Sequence, residues 1–330
     1  METERLVYAQ GAQGERAIRR AAELLRAGKL VAFPTETVYG LGALALDPEA
    51  VRGIFAAKGR PAKNPLIVHV ATSEQAKEVA AGWPEEAQAL AERFWPGPLT
   101  LVLPKAAGLP PEVTGGLEAV GIRVPAHPVA LELIRAVGAP LAAPSANRYT
   151  EVSPTSAAHV ERSLGGRIHA ILDGGETTVG IESTVLDLSG DTPTLLRPGA
   201  VAVSELEEVI GSVRRLGGEG AELHLPSPGL ARRHYAPGAK VSLFDPEELS
   251  ARAAGADETV GVMARSPRPP GAPGAARWVQ MPASPAAYAR QLYRTLHAMD
   301  EAGVESLWIE LPPDEEAWEG VRDRLRRAAG

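Results

Sequence analysis

The stretch Lys58-Gly59-Arg60-Pro61-Ala62-Lys63-Asn64-Pro65-Leu66-Ile67-Val68-His69-Val70 decides how this chain is read. Cations and an amide crowd into a loop whose Gly and Pro residues fix its shape. The loop runs straight into an apolar segment that carries one histidine. A rigid basic loop at the entrance of a buried strand suits a polyanionic small molecule such as a nucleotide, because lysine and arginine neutralise phosphate oxygens. The glycine spacing of a Walker-type phosphate loop is absent.

Working outward, helical and strand patterns alternate. Residues 14–27 read as an amphipathic helix with Ile18, Ala21, Ala22 and Leu25 on one face and Gly28 as its stop. Residues 30–34 form an apolar strand, 48–57 a helix, 66–70 a strand, and 73–81 and 85–94 two helices. Strands follow at 99–103 and 121–124, a helix at 128–137, and strands at 141–143, 170–172 and 183–187. This interleaving points to an α/β sheet domain. Composition shifts near residue 211, where glycines and charges replace the periodic pattern, and residues 211–240 read as a linker. Beyond it, strands at 241–244, 260–263 and 306–310 surround a helix at 285–301. Tyr288, Leu292, Leu296 and Met299 lie at helical spacing on that helix, as core residues do. Residues 241–330 are thus expected to form a small second α/β domain, with 322–327 as a charged last helical turn.

Bulk properties narrow the function. The 330 residues carry a net charge of −7, which argues against an extended nucleic-acid footprint but allows a local basic pocket. No cysteine is present, so disulfides, thiolate chemistry and cysteine-ligated zinc are excluded. No apolar run approaches the roughly 20 residues that span a bilayer. Residues 1–10 show no signal region, so a cytoplasmic location is expected.

Several strand ends carry candidate chemistry. Phe33-Pro34-Thr35-Glu36-Thr37 ends a strand in a hydroxyl-rich turn. Thr35 and Thr37 suit a carboxylate or an amine, or equally an N-cap. Lys58 and Arg60 are placed to contact a triphosphate, with Asn64 as an amide donor. His69 is either a site residue or a satisfied strand histidine, and no second histidine stands at metal-ligand spacing. Arg123 suits bidentate capture of a carboxylate. Ser145 lacks the flanking glycines of a nucleophile elbow and reads as a binding hydroxyl.

The order of these pieces resembles one family. FPTETVYGLG (33–42), AKGRPAKNPLIVHV (57–70), RFWPGPLTLVL (93–103), GIRVP (121–125), APSAN (143–147), SPT (153–155), GIESTV (180–185) and LLRPG (195–199) follow the order of the YrdC-type threonylcarbamoyl-AMP synthases. SPGLARRHYAPG (227–238) looks like the linker of the long, two-domain form. The resemblance implies a YrdC-like twisted mixed sheet (1–210), a linker or lid (211–240) and a small Rossmann-like α/β domain (241–330). It implies the conversion of L-threonine, bicarbonate and ATP to threonylcarbamoyl-AMP and pyrophosphate. Magnesium would accompany ATP, with no covalent cofactor and no protein-bound metal. Downstream proteins would pass the product to tRNA. Carried over by motif, Thr35, Thr37, His69, Arg123, Ser145 and Ser183 would hold threonine. Lys58, Arg60, Asn64, Asn147, Ser153, Arg197 and Tyr235 would hold ATP or its adenylate, with Lys58 and Arg60 neutralising developing charge. Ala119, where the pattern expects a hydroxyl, and Tyr149, where it expects a small residue, depart from it. The rival reading is a double-stranded RNA or tRNA binder built on Lys58, Arg60, Lys63, Arg148, Arg232 and Arg233, with weak tRNA contact as its milder form.

Overall fold

The computed structural model describes residues 2–215, 234–272 and 277–330. Eleven strands form one mixed sheet in the order Glu4–Val7, Ala170–Asp173, Val31–Pro34, Tyr39–Leu44, Leu141–Ala142, Ile67–His69, Ala119–Arg123, Leu99–Pro104, Thr184–Asp187, Thr194–Arg197 and Arg214–Arg215. Both faces are covered, and the period-2 alternation shows it. Val31 and Phe33 face one apolar layer with Ala21, Leu25, Leu133 and Ile134. Ala32 faces the other, with Val51, Ile54, Leu90 and Val160.

The sheet reverses direction where the site sits. Val31–Pro34 and Tyr39–Leu44 pair antiparallel, so Thr35-Glu36-Thr37 is the turn of a hairpin. Residues 39–44, read from sequence only as glycines after a turn, are a strand because Gly40 and Gly42 let the ring of Phe33 lie against the backbone. A Cβ on Gly42 would stand 2.8 Å from that ring. Ile67–His69 runs parallel to Ala119–Arg123, with His69 opposite Arg123.

Helix Pro48–Lys58 places the basic loop. Asp47 caps its first turn by accepting from the backbone N–H groups of Glu49 (3.0 Å) and Ala50 (3.1 Å). Gly59, at φ 63°, ends it in the left-handed conformation that glycine adopts without strain. Lys58 therefore closes the helix and Arg60 opens the loop, both turned inward.

The second domain is a four-stranded, all-parallel sheet in the order Lys240–Phe244, Ser306–Glu310, Val260–Ala264 and Arg277–Gln280. Tyr288, Leu292, Leu296 and Met299 of helix Pro285–Glu301 are buried, as their spacing predicts. Residues 322–327 are helical, as expected. They belong to helix Glu319–Ala329, in which Val321, Arg324, Leu325 and Ala328 are buried. The two domains share apolar packing: Val38, Val152, Ile181 and Tyr235 join Tyr288, Leu292, Tyr293 and Leu325 in one cluster. Backbones touch at this seam. Gly180, at φ 87°, lies so close to helix Pro285–Glu301 that an added Cβ would stand 2.5 Å from the carbonyl oxygen of Ala289.

Gly180→Ala combines left-handed strain with overpacking against a main chain that cannot yield. It should cost about 2–4 kcal/mol, read as a shift in the denaturant midpoint. Gly82→Ala, where a Cβ would meet open space, should stay within about 1 kcal/mol. Equal midpoints for the two variants would contradict the backbone contact.

Candidate active site

The ends of these strands and the turns between them enclose a cavity of about 520 Å³, including its open mouth. Thr35, Thr37, Arg60, His69, Arg123, Ser145, Ser183, Arg197 and Tyr235 line it, together with Val38, Gly40, Ile67, Ala143, Pro144, Glu182 and His234. Segments separated by up to 200 residues in sequence meet here only because the sheet brings their ends together.

One end of the cavity is a network of hydroxyls around Arg123. The Thr35 and Thr37 hydroxyls lie 2.8 Å apart. The Thr35 hydroxyl donates to the Val38 carbonyl at 2.6 Å, closing the hairpin turn. Arg123 donates from Nη1 to the Thr37 hydroxyl at 2.9 Å and from Nε to the Gly97 carbonyl at 3.1 Å. Its Nη2 pairs with Glu36 Oε1 at 2.6 Å. Both partners are buried, so Arg123 is not a bare cation awaiting a carboxylate. Burial, then the charge of Arg123, pushes the His69 imidazole down to about 3 and keeps it neutral.

The opposite end is cationic. Arg60 is buried and donates from Nη2 to the Pro65 carbonyl at 3.1 Å. Burial lowers its pKa to about 10, and it stays protonated at neutral pH. Arg197 donates to the Ser183 carbonyl at 3.0 Å and the Ser183 hydroxyl at 3.2 Å. That hydroxyl also meets Thr100 at 2.8 Å. His234 and Tyr235 close this side. Tyr235 is buried in a left-handed conformation at φ 59°, and its ring lies 5.8 Å from that of Tyr293.

Four of the expected nucleotide residues lie outside the lining. Lys58 is buried and donates from Nζ to the carbonyls of Ser145 (2.5 Å) and Asn147, tying helix Pro48–Lys58 to the 145–147 turn. Burial lowers its pKa well below the ordinary lysine value. Asn147 donates from Nδ2 to the carbonyls of Arg148 and Glu151, and its Oδ1 is buried without a partner. Asn64 donates to the Tyr149 hydroxyl at 3.3 Å. Ser153 donates to Glu182 Oε1 at 2.6 Å. Sequence reasoning named neither Glu36 nor Glu182, although both stand beside residues it did name. It also missed Arg324, whose helix lies far along the chain.

Of the cations on which the RNA-binding reading rests, Lys63 and Arg148 are exposed while Lys58 and Arg60 are not. Lys58 is 3% and Arg60 7% exposed, and both point into the fold. Arg232 and Arg233 lie outside the described residues. Ala119 sits in an apolar cluster with Val102, Val185 and Leu196. Tyr149 packs its ring 5.8 Å from that of His234.

Residues 23–199 match the Sua5/YciO/YrdC family, described as "telomere recombination". Residues 201–330 match the "threonylcarbamoyl-AMP synthase, C-terminal domain". The chain belongs to the threonylcarbamoyl-AMP synthase family. A curated relative of that name from Pyrococcus abyssi is 46% identical over 95% of this chain and 94% of its own length. One from Bacillus subtilis is 44% identical over 95% of this chain and 93% of its own. The crystal structure of P. abyssi Sua5 complexed with L-threonine superposes with a TM-score of 0.89, at 43% identity, over 100% of this chain and 98% of that one. Escherichia coli YciO, at 24% identity and a TM-score of 0.55, shares the fold over 62% of this chain.

Removing Glu36 would leave Arg123 buried and uncompensated, so Glu36→Ala should cost about 3–5 kcal/mol by urea unfolding. The buried histidines give a pH signature. His69 and His234 hold their protons only below about 3 in the folded chain, against 6.5 when unfolded. The unfolded state therefore binds more protons between these values, and stability falls as pH drops from 6.5 toward 3. A midpoint that rises over this range would refute the assignment of neutral, buried rings.

Proposed function

We propose that the chain is an L-threonylcarbamoyladenylate synthase that joins L-threonine, bicarbonate and ATP and releases pyrophosphate. The observation that carries this reading is one cavity with two chemically distinct ends: hydroxyls, His69 and the Arg123–Glu36 pair at one, and the buried arginines Arg60 and Arg197 at the other. An amino acid suits the first end and a polyphosphate the second.

The chemistry asks little covalent work of the protein. The threonine amine and bicarbonate condense, with loss of water, to an N-carboxy carbamate. A carbamate oxygen attacks the α-phosphorus of ATP. The new O–P bond forms as the bond between the α-phosphorus and its bridging oxygen breaks, and pyrophosphate leaves. Positioning and charge neutralisation then supply the rate. Arg60 and Arg197 meet the phosphates, and Lys58 acts from its anchored place beneath the 145–147 turn. Asn64, Asn147, Ser153 and Tyr235 complete the nucleotide side; most of the linker expected to act as a lid lies outside the described residues. Thr35, Thr37, His69, Arg123, Ser145 and Ser183 bind threonine. Arg123 does so with one edge of its guanidinium already fixed by Glu36, so it orients the substrate carboxylate rather than neutralising it alone.

Magnesium arrives on the ATP phosphates. No cluster of three or more His, Asp or Glu side chains is placed to hold a metal among the described residues. Glu36 and Glu182 are already paired with Arg123 and Arg324. The residues of the chain would meet the nucleotide as cations and amides. The product would pass to tRNA-modifying proteins in the cytoplasm.

Pyrophosphate release from ATP, magnesium and bicarbonate should require L-threonine. Arg60→Ala should lower turnover by roughly 10²-fold or more while leaving threonine affinity within about threefold. Serine should be used better than alanine, because a site that hydrogen-bonds a hydroxyl rejects a substrate lacking it. Release without threonine, or normal turnover in Arg60→Ala, would overturn this reading.

A further inference from the structure

The second domain reaches the cavity-lining Glu182 through Arg324 and Tyr293. Arg324, on helix Glu319–Ala329, has a side chain with no exposed surface. It donates from Nε to Glu182 Oε2 at 2.8 Å and from Nη1 to the Pro198 carbonyl at 2.8 Å. Nη1 also donates to Asp323 Oδ2 at 2.7 Å, and Nη2 meets the Glu182 carbonyl at 3.4 Å. Its guanidinium lies 5.4 Å over the Tyr235 ring. Tyr293, from the other helix of that domain, donates its hydroxyl to the same Glu182 oxygen at 2.8 Å.

These contacts fall on two short segments that carry cavity residues. Glu182 lines the cavity and precedes Ser183. Pro198 follows Arg197. The helix of Arg324 is pressed against this second turn by its own backbone, since a Cβ on Gly320 would stand 2.7 Å from the Gly199 carbonyl oxygen. We propose that Arg324, with Tyr293, is a positioning residue of the nucleotide end: the second domain holds Glu182 and the 197–199 turn where Arg197 meets the ligand. The proposal rests on the reading of this cavity as the ATP site. It explains the placement of a full guanidinium fork here. A fork can bind a carboxylate and a carbonyl from two different segments at once, which a lysine ammonium cannot do in one plane.

Glu182 is the hinge of the arrangement. Burial alone would raise its pKa, but Arg324, then Arg197, outweigh this and hold it at about 2. Its two oxygens are taken by Ser153, Tyr293 and Arg324. With Arg324 gone, the second domain would hold Glu182 away from Arg197 through the neutral Tyr293 hydroxyl alone, without a charge to match it.

The test uses the full chain. Arg324→Met keeps the length of the side chain and removes the fork. Tyr293→Phe removes one hydrogen bond and keeps the shape. Arg290→Ala serves as a control, because Arg290 bridges the domains at an exposed site by donating to the Thr178 carbonyl at 2.8 Å. The readouts are KM for ATP, kcat, and equilibrium ATP binding without threonine. Arg324→Met should raise KM for ATP roughly tenfold or more, as the loss of an outer partner does for metal-ligating groups. Tyr293→Phe should raise it about threefold, as loss of a single hydrogen bond to a charged group permits. Arg290→Ala should leave KM and kcat within about twofold. ATP parameters at wild-type level in a folded Arg324→Met, or in Tyr293→Phe whether or not Arg324→Met folds, would overturn the proposal. So would an Arg290→Ala loss as large as that of Arg324→Met, which would reduce Arg324 to a domain clamp. A wild-type chain that binds ATP but yields no threonine-dependent pyrophosphate, and loses the binding in Arg324→Met, would remove the synthase reading and keep this one.

Discussion

Burial of cations is the constraint that the rest of the structure serves. Lys58, Arg60, Arg123, Arg197 and Arg324 are each nine-tenths or more removed from water. Taking one such charge out of water costs several kcal/mol even after relaxation, so each needs compensation close by. Most of it comes from main-chain carbonyls: Ser145 and Asn147 for Lys58, Pro65 for Arg60, Gly97 for Arg123, Ser183 for Arg197 and Pro198 for Arg324. A carbonyl carries only a partial charge. A cation compensated in this way, as Arg60 is, is stable in the fold and still attractive to an anion.

The turns of the molecule follow from that requirement. The 145–147 turn is where it is because Lys58 holds two of its carbonyls. The Thr35-Glu36-Thr37 hairpin turn is fixed by the Thr35 hydroxyl inside it and by Arg123 outside it. Carboxylates are used sparingly. Glu36 supports Arg123 at the amino-acid end, and Glu182 receives Arg324 at the nucleotide end. Each end thus combines one full ion pair for rigidity with polar groups left for a ligand.

Sharing a core makes the second domain part of the same device. Val38 and Ile181 flank segments that line the cavity, and both pack into the cluster of Tyr288, Leu292 and Leu325. The apolar seam sets the distance between the domains. Gly180 and Gly320 then let backbones approach closely enough for Arg324 to reach Glu182. Larger residues at either glycine would hold the guanidinium away from its partners.

Much of this was legible along the chain. The interleaved helix and strand periods and the glycine stop at residue 28 are local signals, set by near-neighbour sterics and hydrogen bonds. The side chains chosen for the cavity were found because strand ends, glycines and polar residues cluster in short motifs. What the chain could not disclose depends on partners distant in sequence. The Lys58 carbonyl cage needs residues 145–147. Glu36 has a role only beside Arg123, 87 positions along the chain from it. Arg324 was one charge in a last helical turn, and nothing local marks it as buried, because its carboxylate partner lies 142 positions away. Sequence by itself determined the elements and the chemical inventory. Only the tertiary structure decided which charges meet, because the energy of a buried charge depends on distance in space and not on distance along the chain.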